Sequence, residues 1–135
     1  MVSKVRPRIT HAAEAAAAIL PGIPRRVRGK QECFCVLRLD TANRPIGRPM
    51  MVAMGSVNTV EVNPRDVFRE AVRRNATSII VAHNHPSGEV EPSANDRALT
   101  DRLQEGGKLL GIPMLDHIVL GASGSFYSMA DHGDL

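Results

Sequence analysis

The succession of periodic segments along this chain predicts the α/β class, and three observations carry that expectation. Ser78-Ile79-Ile80-Val81-Ala82 is a short apolar run rich in β-branched residues, which reads as a buried strand. Asn63-Pro64 with Asp66 two residues later has the form of a helix start: Asn as N-cap, Pro at the first helical position, an acid in the first turn. Ser93 with Asp96 three residues on has the form of a capping box and opens a second amphipathic helix.

The remaining elements follow in order. Residues 1–10 carry no regular pattern. Ile9 to Leu20, with its run of alanines, favours a helix that Pro21-Gly22 ends, and Pro24 to Lys30 reads as a basic linker. Glu32 to Leu39 argues for a strand with Glu32, Phe34 and Val36 on one face, and Asp40 to Pro45 supplies a turn. Ile46 to Gly55, rich in Met and Val, reads as a second strand. The helix from Asn63 should bury Phe68, Ala71, Val72 and Asn75, and it lines up Arg65, Arg69 and Arg73 elsewhere, a stripe that could touch a nucleic acid or an acidic partner, with a solvated face as the more common outcome. After strand 78–83 come a loop, a helix over 93–110 with Leu99, Leu103 and Leu110 as its apolar stripe, a strand over 113–120 and a last strand near Ser125–Ser128. The expected division is 1–30, a basic helix and linker, and 31–135, the domain proper.

Composition narrows the class further. A chain of 135 residues can bury a modest core, built here without Trp and with only three Phe and one Tyr, so from Val, Ile, Leu, Met and Ala. No apolar run approaches membrane-spanning length, and Ala12 to Leu20, interrupted by Glu14, lacks the flanks of a signal peptide. The expectation is a soluble, cytoplasmic protein. Cys33 and Cys35, two apart on a strand, suit a disulfide poorly and are read as small buried hydrophobes. The formal charge of +3 conceals a split: residues 1–30 hold seven bases and one acid, and the rest of the chain holds ten bases and thirteen acids. Weak contact with nucleic acid is therefore an expectation for the N-terminal segment, and a solubilising chain end is the plainer reading.

The densest chemistry lies between residues 83 and 96. Side chains two apart on a strand share a side, so His83 and His85 converge if the extended geometry lasts. Asp96 is three before Leu99 and seven before Leu103, which puts it on the buried stripe of its helix. A carboxylate is rarely buried without a partner, and the two histidines are available. Two imidazoles and one carboxylate with room for a water make the donor set of catalytic zinc.

His83-x-His85-Pro86, six residues, then Ser93-x-x-Asp96, resembles the JAMM metalloprotease signature of JAB/MPN domains. The longer run through Ser87-Gly88, Leu110-Gly111-Ile112-Pro113 and Leu115-Asp116-His117 resembles the bacterial RadC branch over about residues 30–130. The resemblance implies an MPN (JAB) fold with a central mixed sheet flanked by helices, and a zinc-dependent peptidase or isopeptidase. It implies zinc on His83, His85 and Asp96, with Ser93 helping to hold the tetrahedral intermediate. The family's upstream glutamate, the general base, falls on Glu32. Glu89 and Glu91 compete with Glu32 by proximity, but a loop with Gly88 and Pro92 should hold them at the rim. Ser93 could cap its helix, donate to an oxyanion, or do both. Asp116 and His117 face opposite ways on their strand, and either could orient a ligand histidine from behind or simply be satisfied where it lies.

Two other readings compete. One is an accessory protein of DNA repair or recombination, weakly catalytic or inactive, using the basic N-terminal segment. Another is a non-haem iron oxygenase, suggested by two histidines and one carboxylate alone, against which Ser93 and Glu32 argue. The tripeptide His83-Asn84-His85 is not an HNH nuclease motif, whose residues are dispersed over a ββα unit.

Overall fold

The computed structural model describes residues 6–55 and 61–135. Its strands and helices are α1 (Ala12–Ile19), β1 (Glu32–Leu39), β2 (Met50–Gly55), α2 (Pro64–Arg73), β3 (Ser78–Asn84), α3 (Ala94–Leu110), β4 (Met114–Leu120) and β5 (Phe126–Ser128). The strands form one sheet in the order β2-β1-β3-β4-β5. β1 is antiparallel to β2 and β3, β4 is parallel to β3, and β5 returns antiparallel to β4. A parallel pair needs a long crossover, and α3 supplies it between β3 and β4. The result is the mixed sheet flanked by helices that the signature residues imply.

Alternation along β1 divides the core into two layers. Cys33, Cys35, Leu37 and Leu39 pack with Ala15, Ala16, Ile19 and Ile23 from the α1 side. Phe34 and Val36 pack with Val67, Phe68 and Ala71 of α2 and with Leu103 of α3. With both faces covered, every residue of β1 and of β3 is buried. The cysteines are free and buried, and burial, with Cys33 nearby, pushes the Cys35 thiol up to about 12. They are packing residues. Residues 12–23 are thus in contact with the sheet that the later chain builds.

Several boundaries differ from the sequence reading. Ile9 pairs its N–H with the Asn43 carbonyl, so α1 starts only at Ala12, and a 3-10 turn over Leu20–Gly22 ends it. The expected strand from Ile46 begins at Met50. Gly47 has a φ of 73°, and Arg38 reaches across to the carbonyls of Ile46 and Arg48, so that stretch is a loop. α2 buries Val67, Phe68 and Ala71, while Val72 is 52 % exposed. Asn75 lies past the helix end with a φ of 53° and is exposed.

α3 keeps Leu103 fully buried, but Leu110 is 49 % exposed. Its inner face is Asp96, Thr100, Leu103 and Gly107. A Cβ on Gly107 would lie 2.5 Å from the Ile112 carbonyl oxygen, so glycine is what lets the helix approach the entry to β4. Gly111, at φ 72°, then ends the helix, and Ile112 N–H bonds back to the Gly107 carbonyl.

Candidate metal centre

β3 carries His83 next to its end, and the ladder continues one step further: His85 N–H donates to the Leu120 carbonyl at 3.1 Å. Extended geometry therefore lasts to His85, and the two imidazoles face the same way. Their Nε2 atoms lie 3.0 Å apart. Asn84 between them points to the opposite side. Its Oδ1 accepts from Cys33 N–H at 2.7 Å, and its Nδ2 donates to the carbonyls of Arg28 and Gln31. That clamp holds the start of β1, and Glu32 with it, against the end of β3.

Asp96 arrives from α3. Ser93 Oγ accepts from Asp96 N–H at 3.0 Å, and the Asp96 carboxylate accepts from Ser93 N–H at 2.8 Å, so the expected capping box is present. The same box orients the carboxylate. Oδ1 lies 3.2 Å from His83 Nε2 and Oδ2 lies 3.1 Å from His85 Nε2. Across the sheet Phe34 is in register with His83, and Glu32, two residues earlier on the same face, brings Oε1 to 3.6 Å from His83 Nε2. One ligand atom from each of Glu32, His83, His85 and Asp96 fits within 4.8 Å of the others.

This cluster opens into a cleft of about 890 Å³ bordered by Phe34, Glu61, Asn63, Glu91, Ser93 and Leu99. Glu89 and Glu91 are exposed at its edge, as the loop composition suggests. Ser93 is exposed too, with its oxygen committed to the helix cap.

Contacts behind the histidines hold their rings. His85 Nδ1 donates to the Glu89 carbonyl at 3.0 Å. The loop providing that carbonyl is pinned by Gly88, at φ 86°, whose own carbonyl accepts from Ala122 N–H. His83 Nδ1 lies 2.8 Å from His117 Nε2, and His117 Nδ1 lies 2.7 Å from Thr100 Oγ1. Of the Asp116-His117 pair, His117 is therefore the one that touches the site. Asp116 turns away to accept from Ser128 Oγ and Ala130 N–H.

Charge in the cluster follows from burial and these bonds. Burial works to raise the Asp96 carboxyl, but the close contacts with His83 and His85 and the N–H of Ser93 outweigh it and hold the group well below the usual carboxylate range. The contact with Asp96 raises His85 against a smaller opposing effect of desolvation. Complete burial, with the neighbouring His83, drives His117 well below the ordinary histidine value, and it is neutral.

The donor set fits a metal. Bonds of 2.0–2.1 Å at the tetrahedral angle place ligand atoms about 3.4 Å apart, close to the 3.0, 3.1 and 3.2 Å found among His83, His85 and Asp96. Two imidazole nitrogens and a carboxylate are ligands that zinc accepts, and small outward shifts would open the group to that spacing.

Sequence reasoning missed Asn84 and Thr100. The signal for Thr100 was present, since it stands four after Asp96 and therefore on the same helix face. One basic side chain, Arg102, borders the cleft, and several of the N-terminal ones are held by backbone. Arg6 donates to the Gly47 carbonyl, Arg8 to that of Ala42, and Arg28 to those of Ile23 and Leu20. On α2, Arg69 pairs with Asp66 and Arg73 with Glu70 in exposed ion pairs, which fits a solvated face.

A five-stranded mixed sheet that presents two histidines from a strand end and an aspartate from the next helix defines an α/β domain with a metal-type centre. The chain belongs to the RadC-like JAB domain family, which matches residues 9–134 and so takes in α1. Among its relatives are a UPF0758 protein of Cyanothece sp., 52 % identical over 99 residues, or 73 % of this chain and 40 % of that protein. One from Methanosarcina acetivorans is 46 % identical over 110 residues, covering 82 % of this chain and 47 % of its own length. One from Acaryochloris marina is 46 % identical over 114 residues, covering 84 % and 45 %. This chain spans under half the length of these relatives. Among the described residues no helix is long and apolar enough to cross a membrane.

Proposed function

We propose that this domain is a zinc-dependent hydrolase of the JAMM type that cleaves an amide bond in a peptide or protein of the cytoplasm. The observation that carries the reading is the convergence of Glu32, His83, His85 and Asp96 at the floor of an open cleft. Zinc held by His83, His85 and Asp96 would supply a water that ionises near pH ~7 and would polarise the scissile carbonyl.

The chain's own residues do the rest. Three protein ligands leave a coordination position open, which favours Glu32 as proton carrier over fourth ligand. Glu32 is 8 % exposed, and the Asn84 clamp fixes the strand beneath it. It takes up a proton on its carboxylate and delivers it to the departing nitrogen. Ser93 spends its oxygen on the helix cap but keeps its hydroxyl hydrogen, which can donate to the carbonyl oxygen as negative charge develops there. Ser93→Ala should slow turnover by roughly 10²–10³, the usual cost of one oxyanion donor. It should also cost ~1 kcal/mol of stability through the lost cap; kinetics beside thermal unfolding would separate the two.

An accessory role through nucleic-acid contact is favoured less, because its support is a set of N-terminal bases, Arg25, Arg26 and Lys30 exposed and Arg6, Arg8 and Arg28 bonded to backbone carbonyls, with no convergence comparable to that of the cluster. The direct test is a peptide-library cleavage screen with added zinc and with chelator. Cleavage that requires the metal is expected. Cleavage that persists in chelator, or none at saturating zinc, would overturn the reading.

A further inference from the structure

Thr100 and His117 lie behind the metal centre, fully buried, in a line that ends on His83. A hydroxyl has one hydrogen. Thr100 Oγ1 lies 2.8 Å from the Asp96 carbonyl oxygen and 3.4 Å from Met129 Sδ. Both neighbours can only accept, so the hydrogen of Thr100 points at them. The 2.7 Å contact with His117 Nδ1 must then be filled by a hydrogen from the ring. A neutral imidazole with its hydrogen on Nδ1 has a bare Nε2. At 2.8 Å from His83 Nδ1 that bare atom can only accept. The hydrogen between the two rings therefore belongs to His83.

We propose that Thr100 and His117 are positioning residues that fix the hydrogen of His83 on Nδ1, so that Nε2 is the nitrogen offered to the cluster. The line is anchored at both ends of one helical turn. Asp96 gives a carboxylate to the centre, and its backbone carbonyl, four residues before Thr100, sets the direction of the whole chain of hydrogens. His85 has its Nδ1 hydrogen directed backward by a separate route, through the Glu89 carbonyl. Both rings thus donate backward from Nδ1 and present Nε2 forward. Phe34 stacks near His83 and meets His117 edge-on, which leaves the rings little room to flip. Were the relay reversed, with Thr100 donating to His117, two acceptor oxygens would face each other at 2.8 Å.

The consequence for metal affinity rests on the zinc reading above, whereas the direction of the hydrogens does not. The test therefore uses two readouts on the folded domain. ¹⁵N-histidine NMR assigns which ring nitrogen of His117 carries hydrogen, in the metal-free and zinc-loaded protein alike. Zinc affinity is measured by competition with a chromogenic chelator for the wild type, Thr100→Val and Thr100→Ser. The expected result is hydrogen on Nδ1 of His117. Thr100→Val should lose about 10–100-fold in zinc affinity, the usual effect of removing such a supporting contact, and Thr100→Ser should restore it. Hydrogen on Nε2 of His117 would overturn the relay, as would wild-type zinc affinity in a folded Thr100→Val. Should the wild type bind no zinc while His117 carries its hydrogen on Nδ1, the relay stands and the zinc reading falls. Should Thr100→Val fail to fold, the His117 spectrum of the wild type still decides.

Discussion

Glu32→Gln is expected to keep the metal and lose hydrolysis. The amide has the size of the carboxylate and can occupy the same place beside His83, but it does not take up a proton at neutral pH. Positioned acid–base groups contribute roughly 10²–10⁴ in rate, so kcat/KM should fall by about that factor while zinc content per chain stays level. Neither exposed rim acid, Glu89 or Glu91, has the enclosure of Glu32. A variant that turns over at near wild-type rate would move the base to one of them. A variant that loses zinc as well as activity would instead make Glu32 a fourth ligand, since its carboxylate lies within 4.8 Å of the other donors.

The centre was legible in the sequence because local rules build most of it. Period two along β3 put His83 and His85 on one side. The capping box of α3 placed Asp96 at a helix start with its carboxylate directed by Ser93. Glu32 owed its assignment to resemblance, and the fold accounts for its placement through the register of β1 with β3. What supports the centre was harder to read. His117 reaches His83 only because β3 and β4 pair in parallel, with Val81 beside His117, and no local pattern specifies that register. Thr100 and Gly107 line the inner face of α3, yet neither is apolar enough to mark a stripe, so the expected face drifted to Leu110. Asn84 looked like a spacer between histidines. Its role depends on the turn over residues 28–31, which is distant in sequence. On α2 the expected face extended past the helix end to Asn75, where the chain already turns with positive φ.

Zinc content of the wild type against His85→Ala tests the central claim most directly. His85 stands just past the strand end, with its side chain 18 % exposed, so truncation removes a ligand without emptying the core. Measurement belongs at mildly alkaline pH. The ordinary histidine value is about 6.5 and the bond to Asp96 raises that of His85, so the Nε2 proton competes with the metal near neutrality. Elemental analysis after gel filtration should find close to one zinc per wild-type chain and little in His85→Ala. Equal zinc in the two preparations would contradict the assignment of His83, His85 and Asp96 as a metal centre.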